Sequence, residues 1–294
     1  MEQLEILRRK IESAQDLLSV VKTMKALAAV NIRDYEKAVA SLADYSRSIE
    51  MGFQVLMKNR PGENTIRPAP LRSTGAVVIG SEQGLVGQFN DHIASFAVEK
   101  MDALEIAAEE RIIMALGQKM INKLRDRGQP VKDQLPFFGS MVNINTVVQE
   151  VLIRIEAWRE EGKVDQIIIF HNRPISGTSY TPHMLHLYPL DLSWLQSMKD
   201  TKWPTRMLPA YTMNWSRLFA SFTRHFFFLS LYKSAVESLA SENASRLASM
   251  QAAENNIEDR MEALQAKYQH QRQEAITSEL MDIVSGFEVI SSES

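Results

Sequence analysis

Two long stretches without helix-breaking residues constrain this chain more than any other feature. Gly52 is the only Gly or Pro before Pro61, and neither residue type occurs between Pro209 and Gly286. At about 1.5 Å of rise per residue, the first stretch would form a helix of about 80 Å and the second one of about 110 Å. Since helices in globular proteins average about 11–12 residues, helices of this length need a partner along much of their surface.

The first stretch carries a sustained heptad pattern. Its positions, spaced alternately three and four residues apart, are apolar or aromatic except at Lys25 and Ser46. Such a repeat predicts a left-handed coiled coil, because the apolar positions form one continuous seam. The positions are Leu4, Leu7, Ile11, Ala14, Leu18, Val21, Lys25, Ala28, Ile32, Tyr35, Val39, Leu42, Ser46, Ile49, Phe53 and Leu56.

The second stretch repeats the pattern less regularly. Its phase shifts by four residues after Leu239, which is a stutter that locally unwinds a supercoil. Asn243 and Glu254 place polar groups at seam positions. We predict that helices over residues 1–60 and 211–286 pair as a long antiparallel coiled coil. The apolar seam positions of the second helix are Leu229, Tyr232, Val236, Leu239, Leu247, Met250, Ile257, Met261, Leu264, Tyr268, Ile276, Leu280, Ile283 and Phe287.

The middle of the chain has a different pattern. Short apolar runs such as TGAVVIG, RIIMALG and VDQIIIFHN alternate with helical segments such as INTVVQEVLIRIEAWREEG. This alternation predicts a mostly parallel, Rossmann-like α/β domain over residues 71–190, with VKDQLPFFG as a candidate third strand and HMLHLYPL as a candidate antiparallel strand. A connector over residues 191–210 follows. The predicted fold class is therefore α/β plus α, with an α/β domain inserted between two coiled-coil helices.

Composition excludes several functional classes. The net charge of the 294 residues is −3, which is too small to indicate nucleic-acid or membrane-surface binding through bulk electrostatics. The chain has no Cys, so disulfides, thiolate catalysis and Cys-ligated metal centres are excluded. The most apolar segment, Leu218–Tyr232, is shorter than the roughly 20 residues of a membrane helix, and we expect it to be a core helix.

The loop GSEQGLVGQFN is the main candidate for an enzymatic site. It follows a predicted strand and precedes a predicted helix, where phosphates are often bound. However, Gly80, Gly84 and Gly87 have neither the dinucleotide-binding nor the P-loop spacing. A tight strand-to-helix turn with Asn90 or Asp91 near the helix start is favoured. A nucleotide-binding enzyme stays as an alternative.

Three histidines could suggest a metal site. His183 and His186 fall in a predicted strand, where a spacing of three places side chains on opposite faces. His171 lies in another strand, and no acidic residue nearby completes a ligand set. The pattern therefore does not favour metal binding.

Two polar clusters lie on the long helices. Lys22, Lys25 and Arg33 place positive charge along the first helix, and QHQRQEAITSE, Gln269–Glu279, places polar groups where a seam should be apolar. Each cluster is typical of a solvated helix surface. Contact with a surrounding partner is the alternative.

Motifs at both ends of the chain and one in the middle occur together in one known family. The first helix contains LRRKIESAQDLLSVVKTMKALAAVNIRDYEKA, and the loop contains GLVGQFN. On these motifs the whole chain resembles the γ subunits of F-type ATP synthases, the rotating central shaft. The C-terminal residues that match this family are Ser241, Glu242, Ser245, Arg246, Asn255, Tyr268, Arg272, Gln273, Ile276, Thr277, Glu279, Ile283, Val284 and Gly286.

The chain also departs from the family pattern. Asn31 stands where the family has Lys, Val86 replaces a Cys, and Asp34 adds an acid beside Arg33. The pair Leu17–Leu18 replaces a polar Asn–Thr pair. These changes would weaken or rearrange electrostatic contacts with a partner ring, and they resemble a divergent, alternate bacterial form of the subunit.

The resemblance implies a non-catalytic subunit without a cofactor or metal. Its implied partners are the α and β subunits of the catalytic ring, the ε subunit and the membrane c-ring. The complex would lie on the cytoplasmic side of the bacterial inner membrane and couple ion flow to ATP synthesis or hydrolysis. A coiled-coil scaffold unrelated to ATP synthase is the other alternative.

The resemblance also implies contact residues. Lys22, Lys25 and Arg33 would contact acidic loops of β, and Trp203 in the connector would dock on the c-ring and ε. The polar outer face of the stretch Leu239–Leu264 would pass the ring subunits during rotation. The residues implied to contact the ring's collar are Arg272, Gln273 and Thr277.

Overall fold

The computed structural model describes residues 2–60, 71–137 and 141–292. The chain forms two compact units, one over Ala28–Arg246 and the other from Met1–Leu27 with Leu247–Ser294. Both long helices predicted from the heptads are present, because α1 spans Glu2–Lys58 and α6 spans Trp215–Ser292. None of the described helices has the length and hydropathy needed to cross a membrane.

The larger unit contains the predicted α/β domain. A 3₁₀ turn at Ala108–Glu110 precedes the second strand. The strands are β1 Thr74–Ile79, β2 Arg111–Leu116, β3 Val131–Leu135, β4 Gln166–Ser176 and β5 Ser179–Tyr188. The helices between and after them are α2 Phe89–Ala103, α3 Gln118–Asp126, α4 Met141–Glu160 and α5 Leu192–Asp200.

The five strands form one sheet in the order β3-β2-β1-β4-β5. The first four are parallel, and β5 pairs antiparallel with β4, as predicted for HMLHLYPL. The central strands β1 and β2 are buried along their whole length, which explains their continuous apolar runs. The edge strand β3 alternates half-buried with exposed residues, and its exposed positions Lys132 and Gln134 suit a sheet edge.

Alternate residues of the central strand face two separate cores. Ala76 and Val78 pack with α2 and α3, for example with Ile93 and Leu124. Val77 and Ile79 face the opposite core. The residues that reach this second core from α1, α4 and α6 include Tyr35, Ile144, Val148, Val151, Phe227, Leu231, Val236 and Leu239. The larger unit therefore has three layers, with segments of both long helices in its main core.

A third core contains four aromatic side chains from the first turns of α6, those of Trp215, Phe219, Phe222 and Phe226. Phe53 of α1 lies at its centre, with four aromatic rings at centroid distances of 5.4–6.1 Å. The Trp215 indole N–H donates to the carbonyl of Leu56 at 2.9 Å. The segment Leu218–Tyr232 thus belongs to a core, as predicted. The rings around Phe53 are those of Trp194, Phe219, Phe222 and Phe226.

The smaller unit is an antiparallel pair of helices. All sixteen predicted seam positions of α1 are buried or half-buried, and those within this unit run from Leu4 to Lys25. On α6 the seam continues to Gln271, whose amide donates to Gln3 at 3.2 Å. The buried and half-buried positions of α6 from Leu247 onward follow the phase that the predicted stutter gives. The seam positions of α6 in this unit are Leu247, Met250, Glu254, Ile257, Met261, Leu264, Tyr268 and Gln271.

The last predicted seam positions of α6 do not join this pair. Ile276, Leu280 and Ile283 are 48%, 57% and 59% exposed. Their side chains lie beyond the contact of Gln271 with Gln3, and no described residue of α1 covers them. The predicted seam position Phe287 has a side chain outside the described set. The domain boundaries at residues 60, 71, 190 and 210 stay a prediction.

Candidate functional site

The switch point of the sheet, where the order of the strands reverses, is the usual position of a ligand site in open α/β sheets. Strand β1 pairs with β2 on one side and with β4 on the other, and the chain order reverses there. In open α/β sheets, ligands bind at such a point, beyond the carboxyl ends of the strands. The residues at this point are Gly80, which follows β1, and His171 and Asn172, where β4 continues past its pairing with β1.

A segment of α6 packs against the ends of both strands. The Ser241 hydroxyl lies 3.1 Å from the carbonyl oxygen of Asn172 and 2.9 Å from that of Glu237, and the Ser245 hydroxyl donates to the carbonyl of Val86 at 2.7 Å. His171 Nε2 lies 2.9 Å from a carboxylate oxygen of Glu237. All residues from 234 to 245 are buried. The helix therefore occupies the position in which a Rossmann-like sheet would hold a nucleotide.

This packing corrects one expectation from the sequence. The small residues of LASENAS, residues 239–245, are buried against the chain's own sheet and do not form an outer face for other subunits. Small side chains are needed here because the helix lies close to the backbone of β4 and of the glycine loop. After this buried run, the first exposed position of α6 is Ala248.

The glycine loop is a tight turn, as favoured from its spacing. Ser81 and Asn90 fix it, because the Ser81 amide donates to Asn90 Oδ1 at 2.9 Å and Asn90 Nδ2 donates to the Ser81 hydroxyl at 2.8 Å. Leu85 and Gly87 adopt positive φ angles of 61° and 54°. Helix α2 begins at Phe89, one residue before Asn90. These polar groups satisfy one another.

The histidines do not form a metal site. His171 binds Glu237, and its ring meets that of His183 edge-on at a centroid distance of 5.3 Å. Burial lowers the pKa of His183, and His171 lowers it further. His186 is exposed, and within the described part of the chain no group of three or more His, Asp or Glu residues could hold a metal ion.

A second buried charge lies on the same segment of α6. Glu242 is 6% exposed and pairs with Arg246 at 2.7 Å. Burial raises the pKa of Glu242, and Arg246 opposes this shift. Burial likewise raises the pKa of Tyr35 to about 12, with a further contribution from Glu242. These contacts give the family-matching residues Glu242 and Arg246 a role inside the larger unit.

Two polar interruptions of the seam, Lys25 and Glu254, pair with each other. Lys25 forms an ion pair with Glu254 and donates to Gln251 at 3.1 Å. The hydrogen bond from Lys25 is the largest cause that lowers the pKa of Glu254. In the larger unit, Asn31 Nδ2 lies 3.3 Å from Asn243 Oδ1. At these two places, polar side chains of α1 and α6 therefore meet each other.

The predicted contact residues differ in their surroundings. Lys22 lies 3.2 Å from Glu258 and 3.7 Å from Glu254, so both Lys22 and Lys25 have partners within the chain. Arg33 is exposed, and no ion pair involves it among the described residues. The half-buried Trp203 donates to the carbonyl of Met207 at 2.9 Å. The predicted collar residues Arg272, Gln273 and Thr277 are all exposed.

Sequence reasoning missed two sets of residues that the structure brings together. Glu254 was recognised only as an interruption, although Lys25 interrupts the facing helix and a pair could have been inferred. Glu237, Ser241 and Ser245 are spaced by four residues, so they share one face of α6, and this polar line in an apolar region was a usable signal. The carbonyls that they reach could not be identified from the sequence.

Comparisons with known proteins agree with this architecture. A family model described as ATP synthase matches residues 3–290. The ATP synthase gamma chain of Polynucleobacter asymbioticus is 24% identical over 287 residues, covering 95% of this chain and 96% of that protein. This similarity extends through both long helices and the sheet.

Solved structures show the same fold. The rotor of the Euglena gracilis mitochondrial ATP synthase matches with a TM-score of 0.64 at 16% identity, over 94% of this chain and 99% of that one. The central stalk/c-ring structure of the Tetrahymena thermophila mitochondrial ATP synthase matches with a TM-score of 0.56 at 19% identity, over 80% and 99%. On its near-complete match to the family model, and with the fold of these rotor proteins, the chain belongs to the ATP synthase family.

Proposed function

We propose that this chain is the γ subunit of an F-type ATP synthase, the central shaft that turns inside the catalytic ring. The observation that carries the proposal is the end of α6. Helix α6 pairs with α1 as far as Gln271, and the following residues keep apolar side chains such as Leu280 exposed. A helix end with exposed apolar residues at heptad spacing needs other subunits to cover it.

The shaft contributes geometry and no catalytic group. In its α/β sheet, α6 occupies the usual ligand position through Ser241 and Ser245. An asymmetric shaft contacts the three catalytic sites of a ring differently, so the sites differ in nucleotide affinity at any moment. Rotation then couples proton or sodium flow to ATP synthesis or hydrolysis.

The residues proposed to contact the ring lie near the end of α6 and on α1. Arg272, Gln273 and Thr277 are exposed on the helix end and suit polar contacts with the collar of the α/β ring. Arg33 is exposed and suits an acidic loop of β. Lys22 and Lys25 are proposed to contact the same acidic loops. Each also lies within ion-pair distance of Glu254 in this chain.

The connector is proposed to dock on the c-ring and the ε subunit. Trp203 lies beside a cleft of about 470 Å³ that is lined mainly by apolar residues, among them Met51, Val55 and Phe222. Met207 in the same connector is 81% exposed. Through these contacts the chain would be held peripherally at the cytoplasmic side of a bacterial inner membrane, as part of a divergent form of the complex.

Co-expression with the α and β subunits of the same source tests the proposal. We expect a stable ring that contains this chain, and ATP hydrolysis that depends on its presence. A ring that excludes the chain, with hydrolysis unaffected, would favour an unrelated coiled-coil scaffold. Tight ATP binding by the isolated chain would instead favour an α/β enzyme.

The basic residues need a test that separates partner contacts from folding. Arg33→Glu changes an exposed charge without a described ion pair, so reduced coupled hydrolysis would report a contact with the ring. The variant Lys22→Glu, Lys25→Glu would also place carboxylates beside Glu254. Its thermal unfolding must therefore be measured before any loss of coupling is attributed to the ring.

A further inference from the structure

A cavity of about 820 Å³ lies within the larger unit. Its walls come from the last turns of α4, the end of β5, the start of α5 and the first turns of α6. We call it the α4–α5–α6 cavity. Gly80, His171 and Asn172, at the switch point of the sheet, do not line it. Binding sites for small molecules commonly have volumes of about 300–1,000 Å³, so the size of this cavity suits a ligand.

One cation in the wall of this cavity has no anionic partner. The guanidinium carbon of Arg159, near the end of α4, lies 4.4 Å from the ring centroid of Tyr188 and 5.6 Å from that of Phe227. Contact with ring faces leaves the N–H groups of a guanidinium without acceptors. The Nε atom is shielded from solvent without an acceptor, and no hydrogen bond or ion pair joins Arg159 to another described residue. Since a buried donor without an acceptor is costly, this side chain favours an added acceptor.

The other charged residues of the lining do not supply that acceptor. The Glu156 carboxylate lies 3.3 Å from the Arg224 guanidinium, so these two side chains neutralise each other. Glu160 is exposed, and water solvates its charge. Among the described residues of the lining, Arg159 is therefore the cation that can receive a new anionic group.

Much of the remaining lining is apolar. It comes from α5, from α6 and from the loops after α4 and β5, and it consists of Val164, Leu190, Leu192, Leu195, Phe219 and Phe227. A ligand should therefore combine one anionic group with an apolar body. A carboxylate has the single charge that one guanidinium balances, and it can accept two of its N–H groups at once. A phosphate carries up to two charges, so part of its charge would lie unpaired beside apolar walls.

We propose that the α4–α5–α6 cavity is a binding site for a small amphipathic monocarboxylate, such as a medium-chain fatty acid. The carboxylate pairs with the guanidinium of Arg159, and the aliphatic chain packs against Leu195 and Phe219. The inference goes beyond the proposed function, since it concerns the larger unit alone and needs no contact with the catalytic ring. A ligand that binds only the folded chain also raises its melting temperature.

Titration calorimetry on the full chain tests this proposal with octanoate as the probe. Octanol keeps the apolar chain without the charge, acetate keeps the carboxylate without the chain, and inorganic phosphate is a different anion. We expect octanoate to bind at one site, and each of the other compounds to bind about tenfold more weakly or less, because each lacks part of the required chemistry. Octanol or phosphate binding as tight as that of octanoate would overturn the proposal. So would the absence of octanoate binding.

A variant of the cation measures its contribution. Arg159→Gln should raise the dissociation constant for octanoate by about tenfold or more, because the charge-assisted hydrogen bonds are lost. Arg154→Gln is the matched control on the same helix, since Arg154 does not line the cavity and pairs with Asp133 at 2.9 Å and Glu150 at 3.1 Å. An equal loss of binding in both variants would reject Arg159 as the carboxylate partner.

A second variant keeps the proposal testable if Arg159→Gln does not fold. Ala220→Trp adds a large side chain at an exposed position of the cavity wall, so it should block octanoate while circular dichroism shows intact helices. Ser216→Trp, about one turn earlier on α6 and outside the cavity, should leave binding unchanged. Octanoate binding that survives Ala220→Trp would mean that the ligand lies elsewhere.

A comparison with the assembled complex separates a small ligand from a protein partner. We expect octanoate to bind equally well to the isolated chain and to the chain assembled with the α, β and ε subunits. If only the isolated chain binds, a partner subunit covers the cavity and the assignment to a small ligand fails. Because binding to the isolated chain does not require assembly, failure of this inference and failure of the proposed function are distinguishable.

Discussion

Lys25 and Glu254 are polar residues that face each other in the mainly apolar seam of the smaller unit. Placing charges in a seam costs desolvation, and a polar pair there is best known for fixing the alignment of two helices. Lys25 also donates to Gln251, and Lys22 adds a second cation near Glu254. The pair thus selects one register of α1 against α6 in the smaller unit.

We predict that Lys25→Glu lowers the thermal stability of the smaller unit, because two carboxylates then face each other. The exchange Lys25→Glu with Glu254→Lys should recover most of the loss. Helix signal by circular dichroism, recorded during heating, measures both variants. If the exchange is as unstable as the single variant, the ion pair does not account for the effect.

The acid dependence of this pair has a definite sign. Lys25 lowers the pKa of Glu254 below its ordinary value of 4.5. The carboxylate therefore contributes stability at pH values above 4.5, and this contribution is lost as the pH falls through the folded-state pKa. Comparing Glu254→Gln with the unmodified chain, we expect a difference in melting temperature at neutral pH that closes below pH 4.5.

Gly52 illustrates close approach between helices. A Cβ atom built on Gly52 would lie 2.0 Å from the Phe222 ring. We predict that Gly52→Ala destabilises the larger unit by about 1–3 kcal/mol, since the ring must move and the gain in helix propensity is only about 1 kcal/mol. Urea unfolding measures the change. Gly84→Ala is the control, because its Cβ meets only Lys119 at 3.7 Å and should change stability little.

At the level of elements, α6 takes part in three kinds of packing. Its first turns form the aromatic core around Phe53, its middle fills the position beside β1 and β4, and its later part pairs with α1. This sequence of environments explains its changing composition. Aromatic residues come first, small and polar residues follow, and a sparse heptad comes last.

The middle of α6 can be tested at Ser245. We predict that Ser245→Val costs about 1–3 kcal/mol, since the Val86 carbonyl loses its donor and a larger side chain meets the loop. Urea unfolding of the full chain measures it. Ser249→Val, one turn further along the helix and only half-buried, should have a much smaller effect. Equal effects would show that the hydrogen bond to Val86 contributes nothing specific.

Truncating the end of α6 should weaken assembly with the ring without lowering the stability of the chain. Removing residues 272–294 takes away exposed side chains such as Arg272 and Leu280. We expect an unchanged melting temperature for the isolated chain and a strongly reduced affinity for the α/β ring. A lower melting temperature would mean that this segment packs on the chain itself.

At the level of the whole molecule, the two units differ in what protects their backbones. The described residues of the smaller unit are mostly exposed away from the seam, whereas β1 and β2 of the larger unit are buried between helices on both sides. We predict that the backbone amides of Leu7–Val21 exchange their hydrogens faster than those of β1, and hydrogen-exchange measurements test this. Equal protection would imply a coiled coil as stable as the sheet core.

Much of this architecture could be predicted from periodicity. The heptad positions from Leu4 to Leu56 are all buried or half-buried, and strands β3 and β5 were anticipated from short apolar runs. The burial of residues 239–245 could not be predicted, because small polar residues suit either solvent or a close backbone contact. The positions of the Asn172 and Val86 carbonyls, which the sequence does not reveal, determine that these side chains meet backbone and not solvent.

The polar line on the middle of α6 has a mechanical consequence. Glu237, Ser241 and Ser245 bind His171, Asn172 and Val86 from one face of the helix, while Asn243 meets Asn31 from another. Apolar contacts alone would allow a helix to rotate about its axis. The hydrogen bonds of this helix are directional, so they fix its rotation relative to the neighbouring strands and loop. Close-packed interiors transmit strain, so torque entering the middle of α6 is passed to the central strands β1 and β4. The sheet thus holds the middle of α6 against twisting.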